Sequence, residues 1–304
     1  MEVKWEIDKY RATLLGLACG DAVGTTVEFK RRGTFEPVTD MSGGGPFRLQ
    51  KGQWTDDTSM ALCLAHSLLQ HSGFNAEDQM NRYCNWYRVG YMSSTGECFD
   101  IGNTVRAALH HFMETQNPYA GSTDPRSAGN GGIMRLAPVP MFYARNLDLT
   151  IHFSGESSRT THAAYEAIEC ARLFGAQIRA ALMGGSKQEI LVQSGYVPSL
   201  PTVLGLAKGA YQAKTEDQIK GSGYVLQSLE AALWCFLHTD SFADAVLRAT
   251  NLGDDADTTA AIVGQLAGAY YGVQNIPASW LDALAERTAI DALAQRLHAA
   301  SIAL

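Results

Sequence analysis

Basic residues are few in this sequence, and the shortage narrows the range of partners that it can bind. The 304 residues include 24 Lys and Arg against 31 Asp and Glu, which gives a formal net charge of −7. The basic residues are scattered, and the nearest approach to a run is the three at positions 30–32. Because sequence-independent nucleic-acid binding requires a basic patch, we expect no nucleic-acid partner.

Long apolar runs and paired cysteines are missing too. No apolar stretch is long enough to span a membrane, and residues 1–9 carry five charged side chains, which does not fit a signal peptide. None of the six cysteines pairs with another at the spacing of a metal site or a redox motif. We therefore expect reduced cysteines, a cytoplasmic location and no membrane insertion.

The spacing of apolar residues predicts α-helices along nearly the whole chain. Separations of three and four residues dominate over strict alternation, which favours helix over strand. Helices are predicted at 8–22, 58–70, 161–182, 223–238, 241–250, 258–272 and 279–301, and loops rich in Gly, Pro, Ser and Asn at 33–52, 93–96, 117–132, 184–187 and 198–201. The abundant Gly and Ala residues allow helices to approach closely. With no linker and no internal repeat, the sequence predicts one compact all-α multi-helix bundle, a single domain over residues 1–304.

Two clusters of Asp and Thr each stand directly before an apolar helix. Residues 54–58 read Trp-Thr-Asp-Asp-Thr, and residues 253–259 read Gly-Asp-Asp-Ala-Asp-Thr-Thr. For either cluster alone, helix capping is the ordinary explanation. A cap uses only one or two side chains, however, and crowded carboxylates repel each other unless a cation lies among them. Oxygen ligands of this kind suit Mg²⁺ or Mn²⁺ rather than zinc, so the pair of clusters indicates two divalent cations.

Three further segments place polar residues where a plain core would not. Asp21 lies among small and apolar residues near the end of the first predicted helix, and Glu28 follows it. Asp100 precedes a helix predicted from Val105, where it could serve as a cap or as a catalytic group. Residues 127–135 read Ser-Ala-Gly-Asn-Gly-Gly-Ile-Met-Arg, a Gly-rich turn into a helix that could offer N–H groups to a pyrophosphate.

Taken in order along the chain, these motifs resemble those of the ADP-ribosylglycohydrolase family, whose type member is the dinitrogenase reductase-activating glycohydrolase. The resemblance runs from Gly16 to about Gly272, and its most specific parts are the segments 54–58 and 253–258. Phe-Asp-Ile-Gly-Asn-Thr at 99–104, the Gly-rich segment 129–135, Thr161-His162 and Gly223-Tyr224 are similar to the arginine-directed bacterial branch. The resemblance implies an all-α fold around two Mn²⁺ or Mg²⁺ ions.

The resemblance also implies roles for individual residues. The implied metal ligands are Thr55, Asp56, Asp57, Asp255, Asp257 and Thr258. Asp100 is the implied acid–base residue, and Glu28 matches a glutamate that is mechanistic in other branches, so both are candidate catalytic residues. The candidate substrate-binding residues are Asp21, Gly102, Asn103, Asn130, Gly131, Gly132, Ile133, Met134, His162 and Tyr224. Core packing is the alternative for His162 and Tyr224, and capping is the alternative for the extra acid Asp254.

The implied activity is hydrolysis of the N-glycosidic bond between ADP-ribose and an arginine of a modified protein, with release of ADP-ribose. The ions would hold the ribose hydroxyls and orient a water, and Asp100 would transfer a proton. Three alternatives stay open: cleavage of serine-linked ADP-ribose or a free metabolite, non-catalytic binding of ADP-ribose, and hydrolysis of the pyrophosphate by a two-metal phosphoesterase. We expect a monomer, and nothing in the sequence names the modified protein.

Overall fold

Helices connected by loops make up the computed structural model, which describes residues 7–304. They are α1 (Ile7–Gly24), α2 (Asp56–His71), α3 (Ala76–Val89), α4 (Asn103–Thr115), α5 (Gly131–Met134), α6 (Pro138–Phe142), α7 (Leu147–Arg159), α8 (Tyr165–Leu182), α9 (Lys187–Val192), α10 (Pro201–Ala207), α11 (Val225–Leu237), α12 (Phe242–Thr250), α13 (Ala256–Tyr271), α14 (Ala278–Ala283) and α15 (Arg287–Ala303). Within residues 7–304 the β-structure is limited to isolated bridges, which confirms the all-α fold class. Most of the charged segment that argues against a signal peptide lies outside the described residues.

The antiparallel pair α1 and α13 forms the centre of the fold. A Cβ atom at Gly20 would lie 2.2 Å from the carbonyl oxygen of Ala260, and one at Gly24 would lie 2.4 Å from the Cα atom of Asp257. Only glycine fits at such distances, so the predicted close approach of helices through small residues is confirmed for this pair. As a result, the C-terminal end of α1 lies beside the N-terminal end of α13, where the second acidic cluster begins.

Two predicted helices are shorter or more broken than expected. The helix predicted at 161–182 starts only at Tyr165, because residues 160–164 form a turn after α7. The helix predicted at 279–301 is interrupted between α14 and α15, where Glu286 has a φ of 54°. At this break the N–H of Ala285 donates to the carbonyl of Gly52, and the carbonyl of Ala285 accepts from the indole N–H of Trp54. The break therefore anchors the loop that leads into the first acidic cluster.

The predictions about cysteines and membrane segments can be compared with the described residues. All six cysteines are free, and Cys98 alone among them is partly exposed while the others are buried. Burial raises the pKa of Cys19 to about 12, as expected for a thiol that packs as a small apolar side chain. Between residues 7 and 304, none of the helices has the length and apolar character required to cross a bilayer.

Candidate active site

The two acidic clusters, about two hundred residues apart in sequence, meet at the N-terminal ends of α2 and α13. The hydroxyl of Thr258 donates to the Oδ2 atom of Asp57 at 3.4 Å. The hydroxyl of Thr55 reaches the same oxygen at 3.5 Å. One carboxylate oxygen thus contacts hydroxyls from both clusters, and the convergence expected from the sequence is present in the fold.

Asp21 caps helix α2 from outside that helix. It accepts hydrogen bonds from the backbone N–H and the hydroxyl of both Thr55 and Thr58, at distances of 2.6–3.1 Å. Thr55 occupies the N-cap position but makes no side-chain cap bond of its own. A carboxylate near the end of α1 opposes the dipole of its own helix, but here it lies at the positive end of α2, where it is stabilising.

Glu28 has the same relation to helix α13. Its Oε2 atom accepts the backbone N–H groups of Ala256 and Asp257 at 2.7 and 3.1 Å. Asp255 stands at the N-cap position of α13 without a side-chain cap bond. Both helix starts are therefore capped by carboxylates from residues 21 and 28, and not by the side chains of the N-cap residues Thr55 and Asp255. Within the second cluster, Asp257 Oδ1 accepts the N–H of Thr258 in the first turn of α13.

Two carboxylates of the acidic clusters each have an oxygen atom without a hydrogen-bond partner. Among the described residues, Asp57 Oδ1 and Asp257 Oδ2 are buried and have no hydrogen-bond partner. Glu28, Asp255 and Asp257 each offer an oxygen atom within 4.8 Å of the others. Leaving a carboxylate oxygen buried and unpaired is costly, so one orphaned oxygen from each cluster fits a site for divalent cations. The structure adds Glu28 to the candidate ligands.

Burial sets the electrostatics of this acidic group. It raises the pKa of Asp56, Asp57 and Asp257 well above the usual aspartate value, and the neighbouring carboxylates add to the effect. For Glu28, burial and the charge of Asp255 raise the pKa to about 9. Without cations, these side chains therefore favour their protonated forms, and bound cations would stabilise the charged forms instead.

Asp100 faces the acidic group and does not cap a helix. Helix α4 begins at Asn103, and its N-cap residue is Gly102, which has no side chain to offer. Asp100 itself has a φ of 59°, a left-handed conformation that aspartate tolerates better than most residues. Its carboxyl interacts with Asp257, and burial raises its pKa to about 7. A group that titrates near neutral pH beside the acidic group can act as an acid or a base.

A cleft of about 640 Å³ opens over the acidic group. Many of the residues singled out in the sequence line it: Glu28, Asp56, Asp100, Gly102, Asn103, Asn130, Gly131, Met134, His162, Asp255, Asp257 and Thr258. Other lining residues were not predicted from the sequence, among them three phenylalanines and one arginine: Phe29, Phe47, Phe99 and Arg106. Phe29 follows Glu28 and Phe99 precedes Asp100 in the sequence, so their positions next to candidate catalytic residues could have predicted them. No feature of the sequence predicts Phe47 as a site residue.

The Gly-rich segment forms one side of the cleft. The side chain of Asn130 donates to Asp255 at 2.8 Å, which connects this segment to the acidic group. A Cβ atom at Gly131 would lie 2.4 Å from the ring of His162, so only glycine fits above that ring. Gln265, from α13, donates to the carbonyl of Met134 and fixes the end of α5. Within α5, the N–H groups of Ile133 and Met134 donate to the carbonyl of Asn130, so the N–H groups that precede them, at Gly131 and Gly132, are the candidates for binding an anion.

His162 and Tyr224 lie on the same side as the Gly-rich segment. His162 belongs to the turn between α7 and α8 rather than to a helix, and burial lowers its pKa to about 3. It is therefore a neutral side chain. Tyr224 precedes α11, pairs through its backbone with Gly129, and donates its hydroxyl to Glu166. Tyr224 is exposed and does not line the cleft, whereas the adjacent Gly223 does.

Six predicted site residues do not line the cleft: Asp21, Thr55, Asp57, Gly132, Ile133 and Tyr224. Asp21 is fully buried, and its oxygens are occupied by the threonines of α2. The structure therefore places it as a residue that positions α2, not as one that faces a substrate. A Cβ atom at Gly132 would meet the hydroxyl of Ser158 at 2.4 Å, so this residue serves close packing.

Comparison with known proteins identifies relatives along the whole chain. The sequence profile of the ADP-ribosylglycohydrolase family matches residues 2–303. The ADP-ribosylarginine hydrolase Tri1 of Pseudomonas putida (strain GB-1) is 47% identical over 292 residues, which cover 96% of this chain and 78% of that protein. The glycohydrolase of ADP-ribosyl-dinitrogen reductase from Rhodospirillum rubrum is 30% identical, covering 91% of this chain and 90% of that protein.

The fold is shared with a solved structure as well. An ADP-ribosylglycohydrolase-related protein complex contains a chain that superimposes with a TM-score of 0.88 at 43% identity, covering 98% of this chain and 99% of that one. The fold and the site define an all-α hydrolase with a carboxylate-lined cleft. The chain belongs to the ADP-ribosylglycohydrolase family, which confirms the resemblance inferred from its motifs.

Proposed function

We propose that this enzyme hydrolyses the N-glycosidic bond between ADP-ribose and an arginine side chain of a modified protein, and releases ADP-ribose. The observation that carries the proposal is the convergence of two acidic helix starts, each with an orphaned carboxylate oxygen, at a cleft that Asp56, Asp100 and Asp257 line. The names of the relatives support the linkage to arginine, because the Tri1 proteins of Pseudomonas putida and Serratia proteamaculans are ADP-ribosylarginine hydrolases.

Two divalent cations, Mg²⁺ or Mn²⁺, are the cofactors that we propose for this site. The proposed ligands are the side chains of Thr55, Asp56, Asp57, Asp255, Asp257 and Thr258, with Glu28 added by its position. When bound, such ions lower the pKa of a water and stabilise negative charge that develops on oxygen. They also offset the negative charge of the acidic group, so that an anionic substrate can enter the cleft.

The protein residues have distinct tasks in the proposed reaction. The Gly-rich segment binds the pyrophosphate with N–H groups, and Asn130 lies between it and the acidic group. Asp100 passes a proton to the leaving guanidine nitrogen or takes one from the attacking water. Positive charge that develops on the ribose as the bond to nitrogen breaks is stabilised by the nearby carboxylates. Glu28 keeps α13 in place and is also a candidate catalytic residue.

The test of this function combines two substitutions with one assay. Asp257→Ala removes an orphaned oxygen, so it should abolish hydrolysis of ADP-ribosyl-arginine while the helical circular dichroism spectrum is unchanged. Asp100→Asn should keep Mn²⁺ binding and reduce turnover by about 10²- to 10⁴-fold. Full activity of the Asp257 variant, or of the wild type in excess chelator, contradicts the proposed metal dependence. Unchanged turnover of the Asp100 variant removes this residue from the mechanism.

The products and the choice of substrate decide between the remaining alternatives. Free ADP-ribose supports the proposal, whereas AMP together with a ribose phosphate that stays attached to the arginine would indicate a phosphoesterase. Faster cleavage of serine-linked than of arginine-linked ADP-ribose would correct the linkage. Binding of ADP-ribose without turnover of either substrate would indicate a binding protein. The proposed cytoplasmic location is supported by the six free cysteines, and the monomeric state stays a prediction.

A further inference from the structure

Three phenylalanines from separate loops form a continuous group at the mouth of the cleft, which we name the aromatic wall: Phe29, Phe47 and Phe99. The ring centroids of Phe29 and Phe47 are 6.2 Å apart at an interplanar angle of 75°, and those of Phe47 and Phe99 are 5.3 Å apart at 55°. Phe29 is 66% exposed to solvent. Phe47 and Phe99 are half-buried, and a partly exposed apolar patch beside a cleft is a common position for a ligand.

We propose that the aromatic wall binds the guanidinium group and side-chain stem of the arginine to which ADP-ribose is attached. The proposal rests on the proposed function, since it identifies the surface that binds the arginine half of that substrate. The guanidinium group is planar, always charged and weakly hydrated, so it stacks on aromatic faces more readily than other cationic side chains. No residue of the wall belongs to the catalytic or metal-binding sets described above.

The position of the wall along the cleft favours the arginine half over the ADP half. Phe29 follows Glu28 directly and Phe99 precedes Asp100 directly, so the wall adjoins the carboxylates beside the bond to be broken. The Gly-rich segment packs against His162 and reaches the acidic group through a different residue, since Asn130 donates to Asp255. With the pyrophosphate on the Gly-rich segment, the wall beside Glu28 and Asp100 is the surface left for the leaving group.

Charge also selects a cation at this end. Glu28 and Asp100 adjoin the wall in sequence, and Asp255 and Asp257 lie next to Glu28. Arg106 is the basic side chain among the lining residues, and its guanidinium is engaged with Asn103 and with the carbonyl of Ile101. Of these carboxyls, Asp100 is not a proposed metal ligand, so a guanidinium group of the substrate would meet the Asp100 carboxyl and the ring faces together.

The backbone at Phe29 holds this ring towards solvent. Its φ of 64° is unusual for a bulky residue. The conformation is maintained by two hydrogen bonds to the loop before α13: Phe29 N–H donates to the carbonyl of Asp254, and Asp254 N–H donates to the carbonyl of Lys30. The loop that contains the second acidic cluster thus fixes the orientation of the wall. A strained conformation that is held in this way at a site is consistent with a binding role.

The test compares the two halves of the substrate in variants of Phe29. Phe29→Leu keeps an apolar side chain but removes the ring, and Phe29→Trp keeps a ring. For a protein carrying ADP-ribosyl-arginine, we expect the Leu variant to raise KM and lower kcat/KM about two- to fivefold, with kcat nearly unchanged. The Trp variant should stay within about twofold of the wild type. The Kd for free ADP-ribose in the presence of Mn²⁺ should be the same in all three proteins.

The control is Ile302→Ala, another exposed apolar residue. Its neighbour Ser301 contacts Tyr10 at the opposite end of α1 from Asp21, so this variant should match the wild type in every measurement. Equal kcat/KM values for the wild type and Phe29→Leu overturn the inference. A weaker affinity of the Leu variant for free ADP-ribose also overturns it, because the wall would then bind the ADP half of the substrate. If the wild type does not cleave ADP-ribosyl-arginine at all, the proposed function fails instead, and the two failures are distinguishable.

Discussion

Asp21 provides the sharpest test of how this site is built, because it is fully buried and contacts only the start of α2 in the hydrogen bonds described above. Asp21→Asn keeps the size of the side chain and removes one of two acceptor oxygens. Four donors, the N–H groups and hydroxyls of Thr55 and Thr58, point at this carboxylate. An amide can satisfy about half of them, and its own NH₂ group faces the others.

The expected loss of stability follows from that count of donors. Each buried donor left without an acceptor costs about 1–3 kcal/mol, so two of them cost between ~2 and ~6 kcal/mol before the structure relaxes. We expect the free energy of unfolding of the metal-free protein to fall by about 3 kcal/mol. Urea unfolding in the presence of chelator, followed by circular dichroism, measures this quantity. Asp254→Asn is the matched control, because Asp254 is exposed and asparagine tolerates its φ of 59°.

The same variant should weaken metal binding although Asp21 is not a proposed ligand. A shift of Thr55, Asp56 and Asp57 would move three of the seven proposed ligands, and loss of such supporting contacts lowers metal affinity about 10- to 100-fold. Isothermal titration with Mn²⁺ measures the change. If the variant binds Mn²⁺ as the wild type does and unfolds at the same urea concentration, the reasoning is wrong. Normal Mn²⁺ binding with a raised KM would instead support the sequence prediction that Asp21 contacts the substrate.

Two further predictions concern the helix pair and the charge of the site. Gly20→Ala would place a Cβ atom 2.2 Å from the carbonyl oxygen of Ala260, so it should lower the free energy of unfolding by about 2 kcal/mol or more. Gly205→Ala, where the nearest atom is 3.9 Å away, should be neutral or stabilising by up to about 1 kcal/mol. Equal unfolding curves for these two variants would contradict the close α1–α13 contact. Because burial raises the pKa of Glu28 to about 9 and that of Asp100 to about 7, the folded metal-free protein holds more protons than the unfolded chain above about pH 4. Its melting temperature should therefore fall as the pH rises from 5 to 9, and excess Mn²⁺ should reverse the trend. A rise with pH in chelator would show that these carboxyls are charged in the fold.

The local spacing of apolar residues was sufficient to predict many of the helices. Apolar spacing of three and four predicted helices that correspond to α1, α2, α11, α12 and α13 within a few residues, because each of them buries apolar side chains in the core. The same spacing missed the break between α14 and α15. At that break Ala285 donates to the carbonyl of Gly52 and accepts from the indole of Trp54, more than two hundred residues away, and no local pattern contains such partners.

The sequence by itself determined the family, the all-α class and the residue types of the site. Apolar spacing and clusters of Asp and Thr before apolar helices are local features, which can be recognised from residues that are neighbours in the chain. Only the tertiary structure decided what each carboxylate does. Asp21 and Glu28 cap α2 and α13 from other segments, which leaves oxygens of Asp57 and Asp257 unpartnered. The aromatic wall, too, exists only after three loops come together. Hydrogen bonding and stacking depend on distances in space, and for these residues the packing of α1 against α13 sets those distances.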